Sequence, residues 1–501
     1  MTTEASSVGF GYIVLAGEST QHSPFRLAEI TSMTLQILSH NESAETAVYP
    51  PLTKRLLLIS YHFPPVGGAG VQRPLKFVKY LRRYGWDVSV LVAANPSVPV
   101  FDESLCRDLP QDLVIEKART WEPDYQTKQQ LAGKASAAGT QASRKGLVAG
   151  IKGLAKRTVK GIANTLLQPD QQMLWLPNAL GAAKRLLKRL PHQAILATAP
   201  PYSNLILGSI LKRKTGLPLV VDYRDEWDLS SQYLENSKRD WFSCLVQERM
   251  QRSVLRRADA IIATTQGSTA RLQERARQAG SRAPAYCIFN GFDDADFSHL
   301  PAITSATQTE RSRFRLVYTG TLWNLTTVEP LVRAIERLHA DMPELLERLE
   351  LVFVGRKTPE QIAILDRIAT TRCRIVLRDY CDHSEALGLM ADADALCLLL
   401  SGVPGAERVA PAKLFEYLAL RKPILAITPE GETAAIVRRY FPQNQFEPTN
   451  DSGIANWLSE RLVEFPGTGR DDLESTTPAD LTEFTRQHQA GQLAEVLNGI
   501  I

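Results

Sequence analysis

Cysteine is scarce and scattered in this 501-residue chain. The six thiols, Cys106, Cys244, Cys287, Cys373, Cys381 and Cys397, include no C-x-x-C pair. In a chain this long, that spacing argues against a disulfide framework and against a zinc site; it points to a reducing compartment, with the thiols serving as small buried hydrophobes. Long apolar runs are missing too: none reaches the about 20 residues that span a bilayer. Met1 to Ser7 carries no positive charge, and the apolar stretch Tyr12–Ala16 is cut by Gly17 and Glu18, so a secretory signal is not expected and the cytoplasm is. A strong charge of either sign is also absent. The net charge of +4 is too mild to argue for a nucleic-acid partner. What is present, 44% hydrophobic and 22% charged residues, is the composition of a globular protein with length for two large domains.

Residues 1–53 show little periodicity and end in Tyr49-Pro50-Pro51, which suits a weakly ordered extension. Order then begins with the apolar run Arg55–Ser60, the pattern of a strand buried on both faces of a parallel sheet. A Gly/Pro loop, a helix over Val71–Tyr84 closed by Gly85, and a strand at Val88–Val92 follow. The alternation recurs through strands at Ala194–Ala197, Leu219–Asp222, Ala260–Thr264 and Ala285–Phe289. It starts again after polar residues 298–313, with strands at Arg315–Thr319, Leu349–Val354, Arg374–Leu377, Ala395–Leu400 and Pro423–Ile427. Two such βα series predict two Rossmann-like doubly wound domains facing a cleft, over 54–300 and 310–475, with a last helix in 480–501.

The strongest chemical signal is Pro411-Ala-Lys413-Leu-Phe-Glu416-Tyr-Leu-Ala419. Pro411 suits the first turn of a helix, and Lys413 and Glu416, three apart, share one face, opposite Leu414 and Leu418. A helix starting beyond the carboxyl end of a strand aims its free N–H groups at a phosphate, and Glu416, a turn deeper, can accept from ribose hydroxyls. An exposed Lys–Glu pair is the plainer alternative. Gly68-Ala-Gly70 opens like a dinucleotide fingerprint, but Arg73 stands where its third glycine belongs and no acid ends the strand over Val88–Ala93. A nicotinamide or flavin cofactor is therefore not expected. Asp222, Arg224, Asp225 and Asp228 crowd one strand end, either as a salt-bridged loop or with Asp225 or Asp222 orienting an acceptor hydroxyl or holding its proton. His62, alone in the first loop, reads as structural.

Pro411–Ala419 resembles the nucleotide-binding helix of glycosyltransferase family 4, a family of retaining enzymes with GT-B architecture. Further pieces occur in family order: Tyr61–Gly70, with Gly67, Gly68 and Gly70, as the glycine-rich loop; Asp222–Trp227 as the acidic segment; Asn290-Gly-Phe-Asp293 as the turn before the second domain; then Tyr318–Leu322 with Gly320, Phe353–Gly355, and Ser384–Met390. The resemblance covers about residues 55–497. It implies transfer of a sugar from a nucleotide diphosphate-sugar, bound by the second domain, to a saccharide or lipid-linked acceptor on the first. It further implies retained configuration, no metal and no cofactor, and a place in cell-surface polysaccharide or glycolipid synthesis. Its donor residues map to Glu416, Lys413, Arg408, Gly320, Arg356 and Ser384, and its catalytic acids to Asp225, Asp222 and Glu407. Two departures stand out. The family's Glu-x7-Glu puts its first acid at Arg408, with Glu407 beside it, and 323–329 contains no cation. The diphosphate charge is then left to Lys413, Arg408, Arg356 or Arg73.

No acid occurs between Gln126 and Pro169, where apolar residues at helical spacing oppose Lys152, Lys156 and Lys160. The basic amphipathic segment 128–167 is expected either to lie on an anionic membrane, placing the protein peripherally on the inner face of the plasma membrane, or to cover the sheet as a solvated helix. Two other classes remain open: a nucleotide-sugar epimerase of the same architecture, and a catalytically silent GT-B scaffold.

Overall fold

The computed structural model describes residues 54–128, 130, 167–229, 241–298, 300, 312–465 and 480–501. The extension 1–53 and nearly all of the basic segment, 131–166, lie outside the described residues.

The first sheet comprises β1 (Lys54–Ile59), β2 (Trp86–Ala93), β3 (Val114–Ala118), β4 (Ala194–Ala199), β5 (Leu219–Tyr223), β6 (Ala260–Ala263) and β7 (Ala285–Cys287). Its spatial order is β3-β2-β1-β4-β5-β6-β7, with every neighbouring pair parallel. The intervening helices are α1 (Ala69–Leu81), α2 (Leu176–Arg189), α3 (Ser203–Thr215), α4 (Trp241–Arg257) and α5 (Gln266–Gln278). The second sheet repeats the plan with β8 (Phe314–Thr319), β9 (Leu349–Val354), β10 (Arg374–Arg378), β11 (Ala395–Leu399), β12 (Ile424–Ile427) and β13 (Gln445–Phe446), in the order β10-β9-β8-β11-β12-β13, again all parallel. Its helices are α6 (Glu329–Asp341), α7 (Pro359–Asp366), α8 (His383–Ala391), α9 (Ala412–Leu420), α10 (Glu432–Tyr440) and α11 (Asp451–Glu464). The strands are continuous apolar runs because both sheet faces are covered: Leu56, Leu57, Leu58 and Ile59 are all buried. In each sheet the order of connection reverses beside the first strand, at β1/β4 and β8/β11, which opens a crevice at the strands' carboxyl ends.

The last helix, α12 (Arg486–Gly499), packs on the first domain. Ala490, Leu493, Ala494 and Leu497 are buried in one cluster with Leu56, Phe77, Leu81 and Trp86. Asn498 Oδ1 accepts from Lys54 Nζ at 2.7 Å and from Trp86 Nε1 at 3.2 Å. Two sequence readings are corrected here. Pro411 caps α9 instead of starting it. Of the six free thiols only Cys373 and Cys397 are buried, and Cys244 is exposed at the start of α4, so the buried-hydrophobe reading holds for two.

Candidate active site

The glycine loop after β1 is built by contact. Gly68, at φ 101°, precedes α1 in a conformation that disfavours a side chain. A Cβ on Gly67 would stand 2.8 Å from the Tyr380 hydroxyl, and one on Gly70 would stand 2.8 Å from the Arg224 guanidinium. Pro74, inside α1, has no N–H for the Gly70 carbonyl four residues earlier. Arg224 supplies the missing donor: its guanidinium bonds to the Gly70 and Pro200 carbonyls, and its Nε to Ala199 O at 3.2 Å. One arginine thus ties together the loops after β1 and β4.

Next to it, Arg73 and Asp222 form a buried pair. The guanidinium donates from Nη2 to Asp222 Oδ1 at 3.0 Å and from Nη1 to Phe289 O at 2.7 Å, while Thr198 Oγ1 donates to Asp222 Oδ2 at 2.8 Å. Both side chains are essentially inaccessible. This corrects two expectations: Asp222 has no free oxygen for an acceptor hydroxyl, and Arg73, although it edges the cleft, spends its charge on Asp222.

The cleft between the two domains has a volume of about 520 Å3 and is lined from one side by Gly67, Gly70, His62, Arg224 and Asp225, and from the other by Val409–Ala412. Asp225 stands exposed to it. Protein surrounds the carboxyl on its other sides, and that burial, with Asp222 nearby, raises it above the ordinary carboxylate range while Arg224 opposes the rise; contact with the cleft's water limits the shift. His62 Nδ1 is buried without a partner among the described residues, and burial beside Arg224 and Lys128 holds the ring neutral, down to about 3. The sequence reading set His62 aside; the residue nevertheless lines the cleft, although its Nδ1 is turned away from water.

On the second-domain side, α9 begins at the cleft with Pro411 and Ala412. Lys413 Nζ lies 3.7 Å from the centre of the Tyr318 ring and has no carboxylate partner among the described residues. Part of the residue is exposed, but the ammonium is enclosed, and burial pulls it down to about 7. Gly320, at φ 128°, leaves room for it, since a Cβ there would come within 2.7 Å of Nζ. The structure therefore brings Gly320 and Lys413 together. Glu416 does not pair with Lys413: its Oε1 is 2.9 Å from His383 Nε2. His383 in turn is held to the first domain, its backbone N–H donating to Asp102 Oδ2 at 3.2 Å. Its imidazole loses ease of protonation to burial but is raised on balance by Glu416 and Asp296.

Other expected residues lie apart. Arg408 bonds through Nε to Glu226 Oε1 at 2.7 Å across the domains and also to Glu407, so its charge is met within the protein. Glu407 accepts from Gly405 N at 2.7 Å and does not line the cleft. Arg356 is exposed, 3.5 Å from the Tyr125 hydroxyl, and Ser384 is exposed on α8. Glu226, which also accepts from Ser268 Oγ at 2.7 Å, was not singled out by the sequence; nothing in a lone glutamate there announces a partner 182 residues on.

Two parallel doubly wound domains, each opening its switch point onto one shared cleft, define the GT-B fold. Residues 67–285 match the glycosyl transferase 4-like domain, a span that contains Gly67, Gly68 and Gly70 of the glycine loop together with Asp222 and Asp225. The fold is similar to that of sucrose-phosphate synthase from Thermosynechococcus elongatus (TM-score 0.54, 16% identity, 89% of this chain and 98% of that one). It is also similar to HepE of Anabaena, solved in complex with UDP-glucose (0.53, 15%, 89% and 99%), and to a UDP-forming trehalose-phosphate synthase from Burkholderia vietnamiensis (0.54, 13%, 89% and 100%). A comparison with curated proteins gives no match.

Proposed function

We propose that the protein is a glycosyltransferase that moves a sugar from a nucleotide diphosphate-sugar on the second domain to an acceptor on the first. The observation that carries this reading is the shared cleft, in which the amino-terminal end of α9 faces the glycine loop and Asp225. The free N–H groups of α9 and the Lys413 ammonium favour the donor diphosphate and offset the charge that grows on it as the glycosidic bond breaks, so the reading requires no metal ion or cofactor. Glu416 exchanges His383 for the ribose hydroxyls. Asp225, with His62 beside the cleft, orients the acceptor hydroxyl. Retention of configuration and a saccharide or lipid-linked acceptor of the cell surface follow from the family resemblance.

Thermal melting with UDP-, GDP-, ADP- and TDP-sugars tests the reading, and UDP-glucose is the first choice because HepE was solved with it. A donor at a hundred times its Kd stabilises the native state by about 2.7 kcal/mol. Nucleoside diphosphate should then be released when an acceptor is added. Melting curves unmoved by every donor, with no release in the presence of saccharide acceptors, would overturn the proposal; turnover of donor with no acceptor would point to an epimerase.

A further inference from the structure

Helices α2, α3 and α4 cover one face of the first sheet, and their outer surface is strongly basic. There are four Lys or Arg on α2, three on α3 and four on α4, eleven in all, against one acid, Glu248. The whole chain carries only +4. Glu248 is taken by Arg252 at 3.2 Å, Glu116 on β3 meets Arg185 and Arg189 at 3.4 and 3.5 Å, and Asp259 meets Lys212, while Arg213 and Arg249 have no partner among the described residues. Concentrated like charge opposes folding unless a counter-charge meets it.

Between α3 and α4 runs a groove of about 300 Å3. Ile206, Ile210, Met250 and Val254 make its floor, and Arg213 and Arg249 stand at its rim. At the start of α4, Trp241 is 78% and Phe242 43% exposed. Phe242 and Arg249 are seven residues apart and Phe242 and Ser253 eleven, so all three lie along one stripe of the helix. A merely solvated basic face has no use for an apolar floor or for two exposed aromatic rings.

We propose that this face docks on an anionic phospholipid bilayer, the groove receiving the apolar part of one lipid and Arg213 and Arg249 its phosphate. Exposed aromatic side chains beside cations suit the headgroup boundary, where one end of the contact is apolar and the other wet. Backbone phosphates of a nucleic acid satisfy the arginines but leave the apolar floor unfilled. The site is separate from the proposed donor and acceptor positions, so it stands or falls apart from the transfer reaction.

Flotation of the whole chain with vesicles of phosphatidylcholine alone, and of phosphatidylcholine mixed with phosphatidylglycerol, tests the proposal. The protein should float with the mixed vesicles only. Each basic side chain at an anionic surface is worth about 1 kcal/mol, so Arg213→Gln with Arg249→Gln should lower partitioning about thirtyfold. The melting temperature of that variant should not fall, because neither arginine holds a partner among the described residues and removing like charge relieves repulsion. Trp241→Ala with Phe242→Ala should weaken binding that persists at high salt. A second variant, Lys152→Gln with Lys156→Gln and Lys160→Gln, separates this face from the basic segment 131–166. If only that variant loses binding, or if neutral vesicles recover the protein equally, the proposal is overturned. It is likewise overturned if inorganic phosphate or a DNA duplex binds the face, with the same loss in the arginine variant, while vesicles do not.

Discussion

Lys413 lies over an aromatic ring and pairs with no carboxylate among the described residues, with its ammonium drawn down to about 7, so protonation and donor binding are linked on the proposed reading. The folded-state value lies below the ordinary lysine value. Burial of Lys413 therefore costs nothing above the unfolded pKa, costs progressively more as pH falls from there to about 7, and is constant below that. A bound diphosphate restores the charge. Donor binding at pH values above 7 should thus take up a proton, measurable by calorimetry in buffers of different ionisation heat, and donor affinity should fall as pH rises beyond 7. Lys413→Met should abolish the uptake, weaken donor binding about tenfold to a hundredfold, and raise stability at neutral pH. Glu416→Ala should lower kcat/KM by a similar factor, and it should also cost about 1 kcal/mol of stability, because the carboxylate holds His383. That second effect follows from His383, not Lys413, being the partner of Glu416. Glu416→Gln separates the two, keeping an acceptor for His383 while removing charge; unchanged turnover in folded Glu416→Ala would take α9 out of the active site. The three-residue spacing of Lys413 and Glu416 was legible in the sequence. Their partners were not, since Glu416 meets His383 across 33 residues and Lys413 meets the Tyr318 ring near the end of β8, and nothing local announces either contact.

The elements followed from pattern wherever burial was two-sided. The apolar runs at β1, β2, β4, β5, β8, β9 and β11 read directly as strands, and the two βα series gave the doubly wound fold. Helices α4 and α5 went unread for a physical reason. They cover the sheet with few large apolar side chains: on α5 only Ser268, Leu272 and Ala276 are buried, so the helical period is faint. The end of α9 holds a different lesson. Arg421 adopts the left-handed conformation at φ 53°, a place glycine fills at no steric cost. Arg421→Gly should therefore stabilise the protein by about 0.5–1 kcal/mol, the relief of the left-handed penalty less the added freedom of the unfolded chain. A higher urea midpoint at unchanged slope would show it, whereas a lower one would mean that the arginine side chain contributes contacts of its own.

At the scale of the whole molecule, the two domains are joined by more than the connection near residue 300. Arg408 reaches Glu226, His383 reaches Asp102, and α12 closes the core of the first domain. Leu493 is fully buried in that core, so Leu493→Ala should cost about 2–5 kcal/mol. The loss should register in the fluorescence of Trp86, whose indole bonds to Asn498, and a near-wild-type melting temperature would mean that α12 is only loosely seated. This closing helix also bears on how the chain is made. The last strand of the first sheet ends at Cys287 and α12 begins at Arg486, so at ordinary rates of synthesis roughly 10–40 s separate them on the ribosome. Throughout that interval Phe77, Leu81 and Trp86 lack their cover, and the nascent first domain presents an apolar face to chaperones. A chain interrupted anywhere before Arg486 never gains that cover, so a truncated product keeps Phe77, Leu81 and Trp86 without the apolar side chains that bury them in the finished molecule.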